Sequence, residues 1–198
     1  MLVIWATPGL TDSVVEYGID IDDPTADKKI TEGTEMCYDH NMVFHSATMV
    51  DLLPGIEYTY RVGDNHPRDW SDTFKFTTQD LQKDSFEFIA FGDHGMSDEA
   101  QDTANLVRSF DNAELVILSG DISYANGDQS IWDDHGKKYQ TTMANIPWMM
   151  APGNHENETV YGYGFDAYET RFEMPSSSGT DFWHSFDYGG VHFVAIST

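Results

Sequence analysis

Three stretches of the chain decide the fold: FEFIAFGDHG at residues 86–95, LVILSGDISY at 115–124 and PWMMAPGNHE at 147–156. Each begins with an apolar run of strand length and ends in a glycine followed by a side chain that carries oxygen. Apolar runs bounded by turn residues are typical of buried strands, and strands of this kind occur in parallel sheets. We therefore predict three parallel strands, one in each stretch.

The segments between these strands have helical character. Residues 97–110 and 129–145 are each long enough to cross from the end of one parallel strand to the start of the next. Beyond them, residues 182–186 and 191–196 predict a hairpin that turns at Gly189 and Gly190. The succession of strands and helices predicts an α/β domain over residues 85–198.

The first part of the chain follows a different pattern. Residues 56–62 and 73–77 alternate apolar and polar side chains, residues 13–18 indicate a strand ending in glycine, and Gly, Pro, Asp and Asn bound these stretches. Period-two alternation between turn signals is typical of antiparallel strands, so residues 1–80 are expected to form a small β-sandwich. Residues 19–35, rich in Asp, Lys and Thr, are expected to be an exposed loop.

Composition excludes several classes of protein. The 198 residues carry 10 Lys and Arg against 34 Asp and Glu, for a formal charge of −24, yet 40% are hydrophobic and 14% aromatic. This apolar content excludes a disordered acidic tail, and the charge argues against nucleic acid or anionic lipid as partners. No apolar run approaches the roughly 18 residues of a membrane span. The single cysteine, Cys37, excludes an internal disulfide and a thiolate zinc cluster.

Oxygen-bearing side chains follow the three predicted strands at equivalent places. They are Asp93, Asp121 and Asn154, and Tyr124 lies three residues after the second of them. Because the carboxyl ends of parallel strands meet at one edge of the sheet, these side chains are expected to converge. Two close carboxylates repel unless a cation lies between them, and carboxylate, amide and phenolate oxygens suit hard cations. A single Gly-Asp pair is often a plain turn; three such sites in register favour a metal centre.

The segments 92–95, 120–124 and 153–156 resemble the first three of the five motifs of the purple acid phosphatases, a binuclear branch of the calcineurin-like metallophosphoesterases. Most other branches carry a metal-binding histidine two residues after the first aspartate, where this chain has Gly95. The purple branch instead has a tyrosine three residues after the second aspartate, where this chain has Tyr124.

The resemblance covers the whole chain and implies its fold. Residues 1–80 would be an incomplete N-terminal domain similar to fibronectin type III. Residues 85–198 would be the first half of a catalytic domain of the four-layer α/β/β/α type. By the same resemblance the chain is expected to be an excerpt of a longer protein that ends before its catalytic domain is complete.

The resemblance also assigns roles to individual residues. Asp93 and Tyr124 would bind Fe(III), and Asp121 would bridge to a divalent ion (zinc, manganese or iron) held by Asn154. His155 would be the catalytic histidine and contact the phosphoryl group, with Asn154 as a second substrate ligand. Glu156 would support these residues without binding metal.

Two motifs of the family, V-x-x-H and G-H-x-H, are absent from the 198 residues. By the resemblance, these motifs would supply three further metal-binding histidines. The histidines His184 and His192 are not in these motifs; they lie on terminal strands, where they are expected to pack or face solvent. The remaining ligands are therefore expected beyond Thr198, and this excerpt alone is expected to be inactive.

The function implied is hydrolysis of phosphate monoesters or anhydrides at acid pH, with a small phosphorylated molecule as the partner. Two alternatives stay open: a non-catalytic binding module with a degenerate α/β half, and a related metal-dependent phosphodiesterase. The resemblance implies a secreted, extracellular, vacuolar or lysosomal protein. The glycosylation sequon at 157–159 is compatible with that route.

Overall fold

The structure is a computed structural model, and it describes residues 1–23, 25–38, 42–64, 69–175, 179 and 181–197. The chain divides into two compact units, Met1–Gln82 and Lys83–Thr198. Across the described ranges no helix has the length and apolar character needed to cross a membrane.

The first unit contains antiparallel strands in two sheets. In chain order the strands are β1 Leu2–Thr7, β2 Val14–Gly18, β3 Lys28–Glu32, β4 Thr34–Cys37, β5 Val43–Thr48, β6 Glu57–Gly63 and β7 Phe74–Thr77. One sheet has the order β1-β5-β4 and the other the order β3-β2-β6-β7. The pairing is antiparallel throughout, which is the arrangement that period-two alternation predicts.

A single apolar core joins these two sheets. Val15 and Tyr17 of β2 and Tyr58 and Tyr60 of β6 are buried together with Ala47 of β5 in the other sheet. Alternate residues of β6 are buried, so each strand presents one face to the core. The first unit is therefore a β-sandwich, as the sequence predicts.

One expectation for this unit is wrong. Residues 19–35 are not an exposed loop: they contain β3 (Lys28–Glu32) and the start of β4 (Thr34–Cys37), and Ile21 is only 2% exposed. Both strands lie at sheet edges, and β4 is exposed along its whole length. An edge strand is held by backbone hydrogen bonds and packs little side-chain surface, so its sequence need not alternate.

The second unit is built on a parallel sheet, with the order β10-β9-β8. Its elements are β8 Glu87–Phe91, α1 Asp98–Ser109, β9 Ala113–Ser119, α2 Gln129–Met143, β10 Trp148–Ala151, α3 Asp166–Arg171, β11 Trp183–Tyr188 and β12 Val191–Ile196. The Ser97 hydroxyl accepts a hydrogen bond from the amide of Ala100 and so caps α1. The predicted β-sandwich followed by an α/β domain is confirmed.

Helices and a hairpin cover opposite faces of the parallel sheet. Phe91 of β8 contacts Tyr139 of α2, with ring centroids 6.5 Å apart. Phe88, three residues earlier on β8, contacts Phe193 of β12 at 5.6 Å. The antiparallel pair β11 and β12 thus lies on the face away from α2.

A buried histidine lies between α2 and the sheet. His135 is 1% exposed, its ring packs against those of His94 and Tyr139, and its Nε2 has no hydrogen-bond partner among the described residues. Burial lowers the pKa of His135 to about 3, and the neighbouring His94 and Lys138 act in the same direction. His135 is therefore neutral in the folded protein at all but strongly acid pH.

Replacing His135 by Gln is expected to flatten the pH dependence of stability. Because the unfolded chain binds a proton at this histidine below about pH 6.5 and the folded chain does not, the free energy of unfolding falls with decreasing pH. Between pH 7 and pH 5, His135 should lower the free energy of unfolding of the wild-type protein by about 2 kcal/mol, a loss that the variant should not show. Urea unfolding at both pH values measures the difference.

His192→Gln is the matched control, because it also removes a histidine, but one whose only ion pair in the described chain is an exposed contact with Asp187, and exposed pairs contribute little to stability. The control should keep the wild-type pH dependence. Equal slopes for wild type and His135→Gln would contradict the assignment of a neutral buried imidazole.

Candidate metal centre

The loops that follow β8 and β9 continue the pairing of the two strands. Beyond the last strand pair, Phe91 with Leu118, the amide of Asp93 donates to the carbonyl of Gly120 at 3.1 Å. The amide of His94 then donates to the carbonyl of Asp121 at 2.9 Å. The two aspartates are thereby fixed side by side at the carboxyl edge of the sheet.

Glycine is required where the loops after β9 and β10 meet. A Cβ atom on Gly153 would lie 2.3 Å from Oδ1 of Asp121, and one on Gly120 would lie 2.8 Å from the Cα of Gly153. Gly120 also has a φ of +82°, which side chains rarely tolerate. These glycines allow the backbone of one loop to touch the carboxylate of the next.

Asp93, Asp121 and Tyr124 converge on one point. The Tyr124 Oη lies 3.1 Å from Oδ1 of Asp93 and 3.3 Å from Oδ2 of Asp121. Burial raises the pKa of Tyr124 to about 12, and the two carboxylates add to the effect. The single hydroxyl proton of Tyr124 can be donated fully to only one of the two carboxylates, so the other carboxylate lacks a full hydrogen bond from Tyr124.

This donor set fits a cation. Among the described residues, no Lys, Arg or His forms an ion pair with Asp93 or Asp121. Two carboxylates and a phenolic oxygen are hard anionic donors, the type that hard cations prefer. Within the described part of the chain, no group of three or more His, Cys, Asp and Glu side chains is placed to hold a metal ion, so the set at this edge consists of two carboxylates and one phenolic oxygen.

Backbone strain is concentrated at the same place. Five non-glycine residues of the described chain have positive φ, and four belong to this site: Asp93, Asp121, Tyr124 and Asn126, with φ of 51° to 53°. Left-handed backbone is uncommon for residues with a side chain and persists only where the surroundings enforce it. The strain is consistent with a site that orients its side chains for function.

The third loop brings His155 to this group. Asn154–Glu156 forms a short 3₁₀ turn, and the amide of His155 donates to Oδ1 of Asp121 at 3.0 Å. The imidazole of His155 packs on the ring of Tyr124, with centroids 4.3 Å apart. Asn154 is adjacent in the chain and exposed. The structure thus gathers Asp93, Asp121, Tyr124 and His155, and places Asn154 at their border.

Asn126 orients the His155 imidazole. Its Nδ2 donates to the carbonyl of Tyr124 at 3.1 Å, which directs Oδ1 toward Nδ1 of His155, 3.1 Å away. An amide oxygen only accepts, so Nδ1 of His155 must carry hydrogen and Nε2 is left for another partner.

The buried side chain of Glu156 links the loops that follow β9 and β10. Its carboxylate is fully buried and accepts hydrogen bonds from the amides of Asp121 (2.8 Å), Ile122 (2.8 Å) and Gly153 (2.7 Å). Burial raises the pKa of Glu156 although these three bonds oppose the shift. Glu156 therefore supports the loops after β9 and β10 by direct hydrogen bonds.

Sequence reasoning missed Asn126 and the structural part played by Glu158. Asn126 lies two residues beyond the second motif, and its only local signal is the Asn126-Gly127 dipeptide, which is typical of left-handed turns. The Glu158 carboxylate accepts a hydrogen bond from the amide of Gly127 at 2.8 Å. Its residue type alone suggests an exposed side chain.

Glu156→Gln is expected to lower the free energy of unfolding by about 1–3 kcal/mol. A glutamine side chain retains one acceptor oxygen and turns an NH₂ group toward at least one of the three backbone amides, leaving a buried donor unsatisfied. Urea unfolding at neutral pH measures the loss.

The exposed Glu173 supplies the matched control. Glu173→Gln should change stability by less than about 0.5 kcal/mol. If the two variants proved equally stable, Glu156 would not be the residue that fixes these loops.

Two family models match the chain. Residues 1–78 match "Purple acid Phosphatase, N-terminal domain", and residues 62–196 match "Calcineurin-like phosphoesterase". Purple acid phosphatase 21 of Arabidopsis thaliana is 33% identical over 209 residues, covering 100% of this chain and 46% of the relative. Acid phosphatase type 7 of Danio rerio is 31% identical over 212 residues, covering 100% of this chain and 45% of the relative.

A third relative is named "Probable inactive purple acid phosphatase 27" of Arabidopsis thaliana, 34% identical over 184 residues, with 78% of this chain and 30% of the relative covered. The solved structure of a purple acid phosphatase from yellow lupin (Lupinus luteus) seeds shares the fold. It gives a TM-score of 0.83 at 21% identity and covers 98% of this chain and 41% of that one. The chain spans less than half the length of these relatives. It belongs to the calcineurin-like phosphoesterase family and carries the N-terminal domain of the purple acid phosphatases.

Proposed function

We propose that this chain forms part of an acid phosphatase that hydrolyses phosphate monoesters or anhydrides at a binuclear metal centre. One observation carries the proposal: Asp93, Asp121 and Tyr124 gather at the carboxyl edge of the sheet and have no cationic side chain paired with the carboxylates among the described residues. The sheet that carries this edge belongs to a domain with the fold of a phosphoesterase family.

Asp93 and Tyr124 would hold Fe(III), Asp121 would bridge, and Asn154 would hold the divalent ion, which is zinc, manganese or iron. A trivalent ion favours the anionic phenolate and carboxylate, whereas a divalent ion accepts a neutral amide. Bound at these residues, the two ions would supply a water of lowered pKa and stabilise negative charge on the phosphoryl oxygens. The resemblance implies three further histidine ligands that the 198 residues do not contain in the family's motifs, so the proposal concerns the protein that supplies them.

The chain's own residues position the reacting groups. Asp121 has one carboxylate oxygen occupied by the amide of His155, which leaves its other oxygen on the side of Tyr124. The His155 ring is held by Tyr124 and Asn126, and its Nε2 is the nitrogen left to contact a phosphoryl oxygen. Asn154, exposed at the border of the group, would be the second substrate ligand. Glu156 would keep these loops in place through its hydrogen bonds to the amides of Asp121 and Gly153.

We also propose a secreted, extracellular, vacuolar or lysosomal location with a small phosphorylated substrate as partner. The side chain of Asn157 in the sequon is exposed, and its Oδ1 accepts hydrogen bonds from the amide and hydroxyl of Thr159. The excess of acidic residues is compatible with an acidic environment, where part of the charge is neutralised.

A non-catalytic binding module is the second candidate. It is favoured by relatives whose names contain "Probable inactive" and by the lack, within the described ranges, of a His, Cys, Asp and Glu cluster able to hold metal without Tyr124. A related phosphodiesterase would use the same edge of the sheet. Measuring the hydrolysis of phosphate monoesters and of phosphate diesters by the whole protein distinguishes the acid phosphatase, the phosphodiesterase and the non-catalytic module.

Asp121→Asn in the whole metal-loaded protein is expected to lower kcat for a phosphate monoester by about 100-fold or more, because an amide cannot provide two anionic oxygens. Steady-state hydrolysis of p-nitrophenyl phosphate at acid pH measures the change. Asp111→Asn, at an exposed turn, is the matched control and should retain wild-type turnover. Full activity in Asp121→Asn would remove this carboxylate from the reaction.

Tyr124→Phe is expected to abolish a visible absorption band that a phenolate bound to ferric iron produces. The spectrum of the purified whole protein tests this directly. Tyr161→Phe, which changes an exposed ring, should leave the band unaltered. A colourless, iron-free and active wild-type protein would refute the ferric assignment and leave the hydrolase proposal to the Asp121 test.

A further inference from the structure

Glu158 is a second buried carboxylate in the loop that follows β10. It is 1% exposed, and its Oε1 accepts hydrogen bonds from the amide of Gly127 (2.8 Å) and Nε1 of Trp132 (3.3 Å). Its Oε2 accepts from Nε2 of Gln129 at 3.0 Å. All three donors are neutral, and all three lie between the end of β9 and the first turn of α2.

One of these hydrogen bonds supports the turn at residues 124–127, where the backbone is strained. Tyr124 and Asn126 have φ of 53° and 51°, and Gly127 has φ of +89°. Asn126 and Gly127 adopt left-handed backbone readily but Tyr124 does not, so three such residues within four positions need support from outside the segment. Asn126 is exposed, so its side of the turn faces solvent, and the Glu158 carboxylate is the buried group that holds Gly127 from the interior.

Glu158 is itself fixed to the rest of the site. Its amide donates to the carbonyls of Glu156 (3.1 Å) and Gly164 (2.6 Å). Glu156 in turn holds the amides of Asp121 and Gly153. One short segment of backbone therefore carries two buried carboxylates, the first bound to the strand ends and the second bound to the turn 124–127.

The turn carries the group that orients His155. Asn126 bridges the Tyr124 carbonyl and Nδ1 of His155, so a displacement of Gly127 moves the amide that fixes the imidazole. A shift of about 1 Å in such a contact is enough to lose a hydrogen bond.

We propose that Glu158 is a positioning residue: by holding Gly127 it keeps the Asn126 amide against His155 and so sets the orientation and protonated nitrogen of that imidazole. The inference rests on the proposed function only in naming His155 as a residue that contacts the substrate. The contacts that carry it can be tested in the chain without metal or substrate.

The test is long-range ¹H–¹⁵N NMR of the His155 ring in the 198-residue chain at about pH 8.5, where an ordinary imidazole is neutral. Wild type is expected to show hydrogen on Nδ1. In Glu158→Gln, the amide cannot accept from all three donors, and the His155 signals should move to the tautomer mixture of a free imidazole. Trp132→Phe removes one donor and keeps an aromatic ring, so its signals should move part of the way.

Asp134→Asn is the matched control. It breaks the exposed Asp134–Lys137 ion pair (2.9 Å) on the same helix as Trp132 without touching Trp132 or the turn. Its His155 signals should equal those of wild type. Wild-type signals in Glu158→Gln, or in Trp132→Phe where Glu158→Gln does not fold, would overturn the inference, as would Nε2–H as the wild-type form.

In the whole protein, Glu158→Gln should lower kcat about 10-fold or more, while Asp134→Asn stays near wild type. A protein without phosphatase activity that still shows the NMR shift would reject the proposed function and keep the positioning role. An active protein in which Glu158→Gln leaves the NMR signals and kcat unchanged would support the proposed function and reject the positioning role.

Discussion

The buried carboxylate of Glu156 is the constraint on which the site depends. Three backbone amides from two loops donate to one buried side chain. Because a buried donor without a partner costs more than a typical hydrogen bond contributes, the two loops can reach the low-energy state only together. The amide of Asp121 is one of these donors, and the amide of His155 donates to the Asp121 carboxylate. These hydrogen bonds therefore determine where Asp121 and His155 lie.

The same arrangement creates an electrostatic demand. Asp93 and Asp121 meet at a single phenol, on a chain with a formal charge of −24, and the backbone at both aspartates is left-handed. Stability alone would favour relaxed backbone and separated carboxylates. The residues instead fit a bound cation, and the fold around them is that of a phosphoesterase family.

Much of this organisation could be predicted from the sequence because strand order and motif position determine it. Asp93, Asp121 and Tyr124 follow strands of the parallel sheet at fixed spacing, and a parallel sheet brings such residues to one edge. The strands β3 and β4 could not be predicted, since edge strands held by backbone bonds need no apolar alternation. Asn126 and Glu158 act through contacts between distant segments, and a residue type gives no indication of such a partner.

Anomalous diffraction at the iron absorption edge, from crystals of the whole protein, would locate the metal. An iron peak is expected at the Tyr124 phenolic oxygen and the Asp93 carboxylate, with a second metal held by Asp121 and Asn154. Metal bound at other residues, with Tyr124 still hydrogen-bonded to both aspartates, would contradict the proposed metal centre.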